Sequence, residues 1–477
     1  MKPTIIKKKK IMPMSDKCRA CEDLFKDMRR LHRKDEAGSC EAFGEDVVQG
    51  WCRARNYVLS QLENEKSWGS NGIAASSSER VHIVIDCVDP MAFYIARHAA
   101  LALHFPNFNE GDGRSQAPRN GTLITLLYNR KKYSDIIAEL HREEYLCNLT
   151  DLCKCTLKMV EIEDKGKGLK VISENVKNPN SFVGVELELL GFDNDDFGYE
   201  ANEKEGMEVV HVGRKVIEEV KNRKCKYELD VTHARRVNMV YQVGADIDNL
   251  PPDDPNISDR YSRALLYFCY QQSKGKTLEK WNEIAEYANE DDKKGTLYQI
   301  MLRNKLSNVF CADCFVTRLK SLFDHNARKD IQKVIIKAYC SENDVKKNEN
   351  FGYKTVRITT KMLNYMIKNH EKDLLMLVGN NLKAMARCEH ARWNVEKLIL
   401  GFSPFSPQEH YEYNCRFGSS RSSYRNGLKK NKGHHINLCS YEDLYRIDPD
   451  NMKYDSFLML AMVRILREGL TGCASST

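Results

Sequence analysis

What this chain lacks narrows it first. It holds no run of 18 or more apolar residues, so no segment has the length and apolarity to span a bilayer as a helix. Lys2 and Lys7 to Lys10 cluster near the start, but no apolar stretch of the kind an export signal needs follows them. Linear catalytic signatures are missing as well: no P-loop, no H-E-x-x-H, no nucleophile–base–acid set and no glycosidase-like carboxylate pair stands at a convincing spacing. These absences argue against an enzyme only weakly, because scattered catalytic residues need leave no linear motif. A large excess of one charge is also missing. The net charge of +7 over 477 residues is mild, and much of it sits in the N-terminal lysines. Such a tail solubilises, and nucleic acid is not the expected partner.

What is present is ordinary for a soluble globular protein: 42% hydrophobic and 30% charged residues, in a length that suits two to four domains. Seventeen cysteines scattered through a lysine-rich chain without an export signal read as reduced thiols, hence a cytoplasmic protein. Two C-x-x-C pairs occur. A zinc knuckle needs four ligands at compatible spacing, and Cys18/Cys21 could recruit only Cys40, Cys52 or His32. Cys311/Cys314 lies in the helical-looking stretch N-V-F-C-A-D-C-F. No metal site is assigned.

Taken in order, residues 15 to 66 read as helical, and Trp68 to Ser78 reads as a small-residue linker. Val81 to Asp86 is a β-branched run of buried-strand type, Met91 to Phe105 an alanine-rich helix, and Thr122 to Tyr128 a second strand. That is a β-turn-α-β unit, in which nucleotides bind at the first turn against the helix N-terminus. The unit resembles the Rossmann-like nucleotide-binding domain of Trk-type potassium-uptake regulators. The glycine fingerprint is replaced by Asp86-Cys87-Val88-Asp89-Pro90-Met91, and the second strand ends in Asn129-Arg130 where an acidic residue would grip ribose hydroxyls. Asp86, Asp89, Asn129 and Arg130 are therefore the cofactor-site candidates of a scaffold expected to have lost ordinary dinucleotide binding. Lys170 to Ser173, Val185 to Leu190 and Val237 to Tyr241 read as further strands, and Glu208 to Lys224 as a charged helix. Asp246, Asp248, Asp253 and Asp254 follow the last of these strands. They could hold a divalent cation, but their spacing fits a capping loop better. From Ser258 the chain turns helical, over Tyr261 to Tyr270 and Leu297 to Phe323, and a polar loop covers Ser341 to Asn350.

One stretch organises the rest: Ala386 to Phe402, A-R-C-E-H-A-R-W-N-V-E-K-L-I-L-G-F, with no proline and one glycine near its end. Val395, Leu398, Ile399 and Phe402 form one apolar stripe. His390, Trp393 and Lys397 form a second, fit to stack on and pair with an anionic aromatic ligand, or else to lie in a core with charges at its rim.

The spacing His390-x-x-Trp393-x-x-x-Lys397-x-x-x-Gly401-Phe402 resembles the ryanodine-receptor repeat (RyR) domain. Downstream, His435, Leu438, Tyr441 and Leu444 match that family's H-P-x-L-x-P-Y-x-x-L segment, with Ile436 and Ser440 in place of its prolines. Between the two blocks, 408 to 433 is a basic stretch interleaved with Tyr411, Tyr413, Phe417 and Tyr424. It suits phosphate pairing and base stacking, or is an exposed flexible loop.

The resemblances imply an α/β-plus-α protein: a basic tail and helical segment (1–77), a Rossmann-like parallel-sheet domain (78–257), a helical connector (258–370) and a small, mostly α RyR-like domain (371–477). They imply a prokaryotic nucleotide-type ligand sensor, in stress or phage-defence signalling. His390, Arg392, Trp393, Lys397, His435, Tyr441, Arg421 and Arg425 would hold the ligand. No cofactor is assigned, although a nucleotide or dinucleotide fits, and a homo-oligomer is compatible. The alternatives are a metal-dependent enzyme acting on a nucleotide or NAD-derived substrate, and a structural adaptor for a protein partner.

Overall fold

The computed structural model describes residues 45–63, 68–70, 72–107, 122–129, 153, 155–165, 168–175, 200–202, 207–223, 307, 310–323, 339, 358–399 and 402–472. The basic tail, the Cys18/Cys21 pair, Arg130, the expected strands at 185–190 and 237–241, the aspartates at 246–254, the aromatic run 261–270, the polar loop 341–350 and Gly401 lie outside the described residues.

The protein is mixed α/β with a central parallel sheet. Strands β1 (Arg80–Asp86), β2 (Thr122–Tyr128), β3 (Cys155–Lys165) and β6 (Met207–Val212) are parallel, in the order β3-β2-β1-β6. Antiparallel β4 (Gly168–Asn175) and β5 (Glu200–Asn202) flank them at the two edges. Successive strands grow outward from β1 on one side, and β6 returns on the other. The strand order therefore reverses between β1 and β6, and in an open parallel sheet that reversal opens a crevice beyond the strands' carboxyl ends.

The first helices follow their sequence signals. Helix α1 (Glu45–Glu63) packs on the alanine-rich α2 (Met91–Ala102), whose Ala92, Ala96, Ala99 and Ala100 are buried in close contact with the sheet. One expectation fails here. The Glu208–Lys224 stretch is not one helix: Met207–Val212 pairs with β1 as β6, and only α3 (Arg214–Asn222) is helical. The β-branched run Val209-Val210-His211-Val212 prefers the pleated surface, and Gly213 separates it from the helix.

Trp68 to Ser78 is not a free linker either. Trp68 is fully buried, edge-on to Tyr57 at 5.8 Å, and Ile73 and Ala74 are buried too. Gly69 and Gly72 have φ of +63° and +77°. A Cβ on Gly72 would stand 2.3 Å from the Ser321 backbone nitrogen, so only glycine lets this clasp close on the end of helix α4 (Phe315–Lys320).

Beyond α4 come α5 (Thr360–Asn369), α6 (Glu371–Asn380) and α7 (Leu382–Ile399). A short pair of strands, β7 (Ser403–Pro404) and β8 (His434–His435), brackets α8 (Pro407–Asn414) and α9 (Gly418–Lys432). Helices α10 (Tyr441–Ile447) and α11 (Pro449–Gly472) complete the chain. The expectation of a flexible basic loop over 408–433 fails: this is a helical hairpin. Ser406 and Glu409 form a capping box with Pro407 in the first turn of α8, and Gly433, at φ +69°, ends α9.

Helix α7 joins two cores. Leu382 and Met385 at its start sit with α4, α5, α6 and α11, whereas Val395, Leu398 and Ile399 at its end join the core of the sheet and α2. No helix among the described residues is long and apolar enough to cross a membrane.

Candidate functional site

Because α7 is enclosed on several sides, its charges are forced inward, and they pair. Arg318 Nη1 of α4 donates to Glu389 Oε2 at 2.6 Å, Arg392 Nε to Glu389 Oε1 at 3.0 Å, and Arg392 Nη1 to Glu396 Oε2 at 2.9 Å. Ser307 Oγ donates to Glu396 at 2.7 Å, and Lys397 Nζ does so at 2.8 Å. Arg318, Glu389, Arg392 and Glu396 are at most 2% exposed. Burial alone would raise the carboxyl pKa of Glu389, but Arg392 and Arg318 overcome it and hold the group below its ordinary value. For Glu396 burial is likewise overcome, by Lys397 and Arg392. The charges expected at a rim are thus an interior seam, and Arg392 lies inside it with no exposed surface for a ligand.

On the neighbouring stripe, aromatic rings assemble. Trp393, half-buried, stacks on His390 with centroids 5.8 Å apart. His435 of β8 meets Trp393 edge-on at 5.1 Å and Phe402 at 5.8 Å, and Tyr441 meets His390 at 6.0 Å. The Lys397 ammonium lies 5.3 Å over the Trp393 ring. His390 is buried and engaged by the protein. Its Nε2 donates to the Cys439 carbonyl at 3.0 Å, its Nδ1 is 3.5 Å from Asp455, and Asn394 donates to the same carbonyl. His390 and Tyr441, both buried, therefore fix the ring cluster from behind, while Trp393, Lys397 and His435 form its accessible part.

Cations gather at that part. Arg425 Nη1 is 3.5 Å from Asp448, which accepts from Asn437 Nδ2 at 3.3 Å. The Asn437 backbone N–H in turn donates to His435 Nδ1 at 3.2 Å, which leaves Nε2 as the protonated nitrogen. Lys429 follows Arg425 by one turn of α9, which packs on β8. Burial, then Lys429, Lys397, Arg425 and His390, hold His435 well below the ordinary imidazole pKa, so the ring is neutral near pH 7. Arg421 lies apart from this group, stacked over Tyr413 at 4.0 Å, as Arg416 is over Tyr424 at 3.9 Å.

The crevice between β1 and β6 is built differently. Asp86 closes β1, and its Oδ1 is 3.0 Å from His211 Nε2 on β6. Asp89 Oδ1 accepts from the Met91 backbone N–H at 2.9 Å, and its Oδ2 from Lys221 of α3 at 2.5 Å. Asp89 thus supplies an anion to the start of α2, where a pyrophosphate would otherwise find unpaired N–H groups. A Cβ on Gly213 would meet the His211 ring at 3.3 Å, so the imidazole lies against the turn between β6 and α3. Asn129 follows β2 directly.

Cys311 and Cys314 are buried thiols on a helical turn beside the charged seam, and Cys314 Sγ donates to the carbonyls of Phe310 and Leu101. Burial raises the Cys314 thiol pKa to about 11, against the opposing effect of Arg318 and Arg392. The chain matches no protein-family model, no curated protein and no solved structure.

Sequence reasoning missed His211 and Lys221, because the strand carrying the first was read as helix. Lys429 lies within the basic stretch 408–433 without being singled out, and Asn437 and Asp448 were overlooked. The signal for His211 was the β-branched run around it. Asn437 and Asp448 left none, since their roles arise from contacts between α9, β8 and α10.

Proposed function

We propose that this protein is a cytoplasmic ligand-binding protein of the nucleotide-sensing kind, with an RyR-like module formed around α7 and a Rossmann-like sheet whose dinucleotide site is closed by its own side chains. The observation that carries this reading is the accessible half of the ring cluster. An indole with a lysine ammonium above it stands beside a neutral imidazole and within a group of cations on α7 and α9. An indole face and a cation together suit a base and a phosphate. The sheet would then serve as a docking surface or a second, altered sensor.

The enzyme alternative would use Asp86 and Asp89, which are engaged by His211 and Lys221, together with Asp246 and Asp248, which lie outside the described residues.

Thermal unfolding against NAD, ADP-ribose, ATP, ADP and cyclic mono- and oligonucleotides, with and without Mg²⁺, tests the reading. A ligand at a hundred times its Kd adds about 2.7 kcal/mol. The expected result is a rise in Tm that Trp393→Ala abolishes. A flat panel on folded protein overturns nucleotide sensing, and a stable complex recovered from the cell would then favour the adaptor reading. Metal-dependent turnover lost in Asp246→Ala and kept in Trp393→Ala would favour the enzyme.

A further inference from the structure

Behind the ring cluster lies an acid–imidazole pair that the ligand reading leaves unused. Asp455 of α11 is 7% exposed and His390 of α7 is 4% exposed. Among the described residues the polar partner of the Asp455 carboxyl is His390 Nδ1, 3.5 Å from Oδ2. The other ring nitrogen is committed. Nε2 is 3.0 Å from the Cys439 carbonyl, which can only accept, so the proton of a neutral ring sits there. A neutral ring would therefore turn a bare Nδ1 toward a carboxylate, lone pair against lone pair. That leaves a buried charge without a donor, the costly case. One additional proton removes the conflict. Drawn as imidazolium with carboxylate or as imidazole with carboxylic acid, the pair then carries no net charge and both ring contacts are satisfied. Burial pushes the Asp455 carboxyl up from its ordinary value, and Glu389 acts in the same sense against His390 and Arg392. The surrounding groups have partners of their own. Glu389 and Arg392 of α7 are bonded to each other, and Glu389 also to Arg318 of α4. Tyr441 of α10 meets the His390 ring edge-on, and His435 of β8 contacts the same indole. Further along α11, Glu371 of α6 pairs with Arg464 and Arg467.

We infer that Asp455 is a positioning residue of the ligand site: it shares one retained proton with His390, and the imidazole so held at both nitrogens fixes the Trp393 indole stacked on it. The inference rests on the ligand reading for its purpose, because Trp393 is the ring that a base would meet. The two rings lie 5.8 Å apart with their planes 18° from parallel. An imidazole bonded at one nitrogen alone can swing about that bond and take its stacking partner with it. The second contact, to α11, removes that freedom. The retained proton also has a thermodynamic signature. In the unfolded chain the two residues titrate near their ordinary values of about 3.9 and 6.5. Between those values the unfolded chain also holds one proton on the two residues, so the pair gives stability no slope there. Above 6.5 the unfolded chain releases its proton while the folded pair keeps one. Stability is then lost as pH rises, by up to about tenfold in the folding equilibrium constant per pH unit.

The test compares the full-length chain with Asp455→Asn in denaturant unfolding from about pH 7 to pH 8.5, the window just above the ordinary histidine value. The asparagine amide donates to Nδ1 of a neutral ring and needs no retained proton, so the variant keeps the geometry and loses the linkage. The expected result is a wild-type folding constant that falls relative to the variant by up to about tenfold per pH unit. Curves that do not diverge would overturn the shared proton. Positioning is read without any ligand, from the fluorescence of Trp393 taken as the difference from Trp393→Phe. That signal should change over the same pH window in the wild-type background and stay constant in the Asp455→Asn background. Divergent stability with an unchanged indole signal would overturn the positioning role. The two readings can fail separately. A flat nucleotide panel with both pH effects present removes the nucleotide and keeps Asp455 as the residue that places the ring. Trp393-dependent nucleotide binding without the pH effects does the reverse.

Discussion

Two regions of this protein place ionisable side chains where a ligand would sit, and they treat charge in opposite ways. In the crevice between β1 and β6 each carboxylate has a nearby partner, Asp86 the His211 imidazole and Asp89 the Lys221 ammonium. Asp89 also accepts the Met91 backbone N–H at the start of α2. At the ring cluster, burial first and then Lys429, Lys397 and Arg425 hold His435 well below the ordinary imidazole pKa. The comparison also sets the energetics apart. The crevice pairs are about a quarter exposed on the Asp86–His211 side, while the seam beneath the ring cluster is wholly interior.

The largest effect should come from the seam. Glu389→Gln leaves two buried guanidiniums without their carboxylate, and losing one partner of a buried pair costs about 3–5 kcal/mol. Denaturant unfolding should show this as a large drop in midpoint, and a loss under about 1 kcal/mol would sink the view that the seam holds the halves together. Next comes the clasp between the two cores: Gly72→Ala forces a side chain onto a positive-φ position against backbone, with strain of about 1–3 kcal/mol expected in the same assay.

A smaller, pH-dependent effect belongs to His435. Its folded pKa is depressed and its unfolded value is the ordinary 6.5, so the neutral ring contributes no penalty above that pH. As pH falls below 6.5 the unfolded chain binds the proton first, and stability is lost down to the folded pKa. Comparing wild type with His435→Asn from pH 7 to pH 5 should therefore show wild type losing more, by on the order of 1 kcal/mol. Parallel curves would refute the neutral imidazole at His435. The smallest effect is expected at the crevice, where Asp86→Asn should cost no more than about 1 kcal/mol because solvent screens the pair. A cost matching that of Glu389→Gln would erase the contrast between the regions.

Much of the framework was legible in the chain. The β-branched run at 81–86 and the alanine-rich helix after it fixed β1 and α2, because burial against a sheet demands those side chains. The stripe of Val395, Leu398, Ile399 and Phe402 was read from its spacing, and all four are buried. The capping box at Ser406-Pro407-Gln408-Glu409 was equally local and would have predicted α8, yet the surrounding basic residues disguised it as loop. The partner stretch of β6 was misread for a related reason: Glu218, Glu219 and Lys221 drew the eye to a helix that begins only after Gly213.

By itself, the sequence determined what depends on neighbours in the chain. It set periodicity, helix ends, the loss of the glycine fingerprint at 86–91, and the presence of an indole, an imidazole and an ammonium on one helical stripe. Only the tertiary structure decided which charges were already satisfied. Arg392 and Lys397 are five residues apart on one helix and look equally suited to a phosphate. Yet Arg392 is enclosed between Glu389 and Glu396, while Lys397 stands at the edge of the ring cluster. That difference arises because Arg318 of α4 reaches Glu389 on one stripe of α7 while His435 of β8 meets Trp393 on the next, and no local pattern in the chain encodes which stripe will meet a partner.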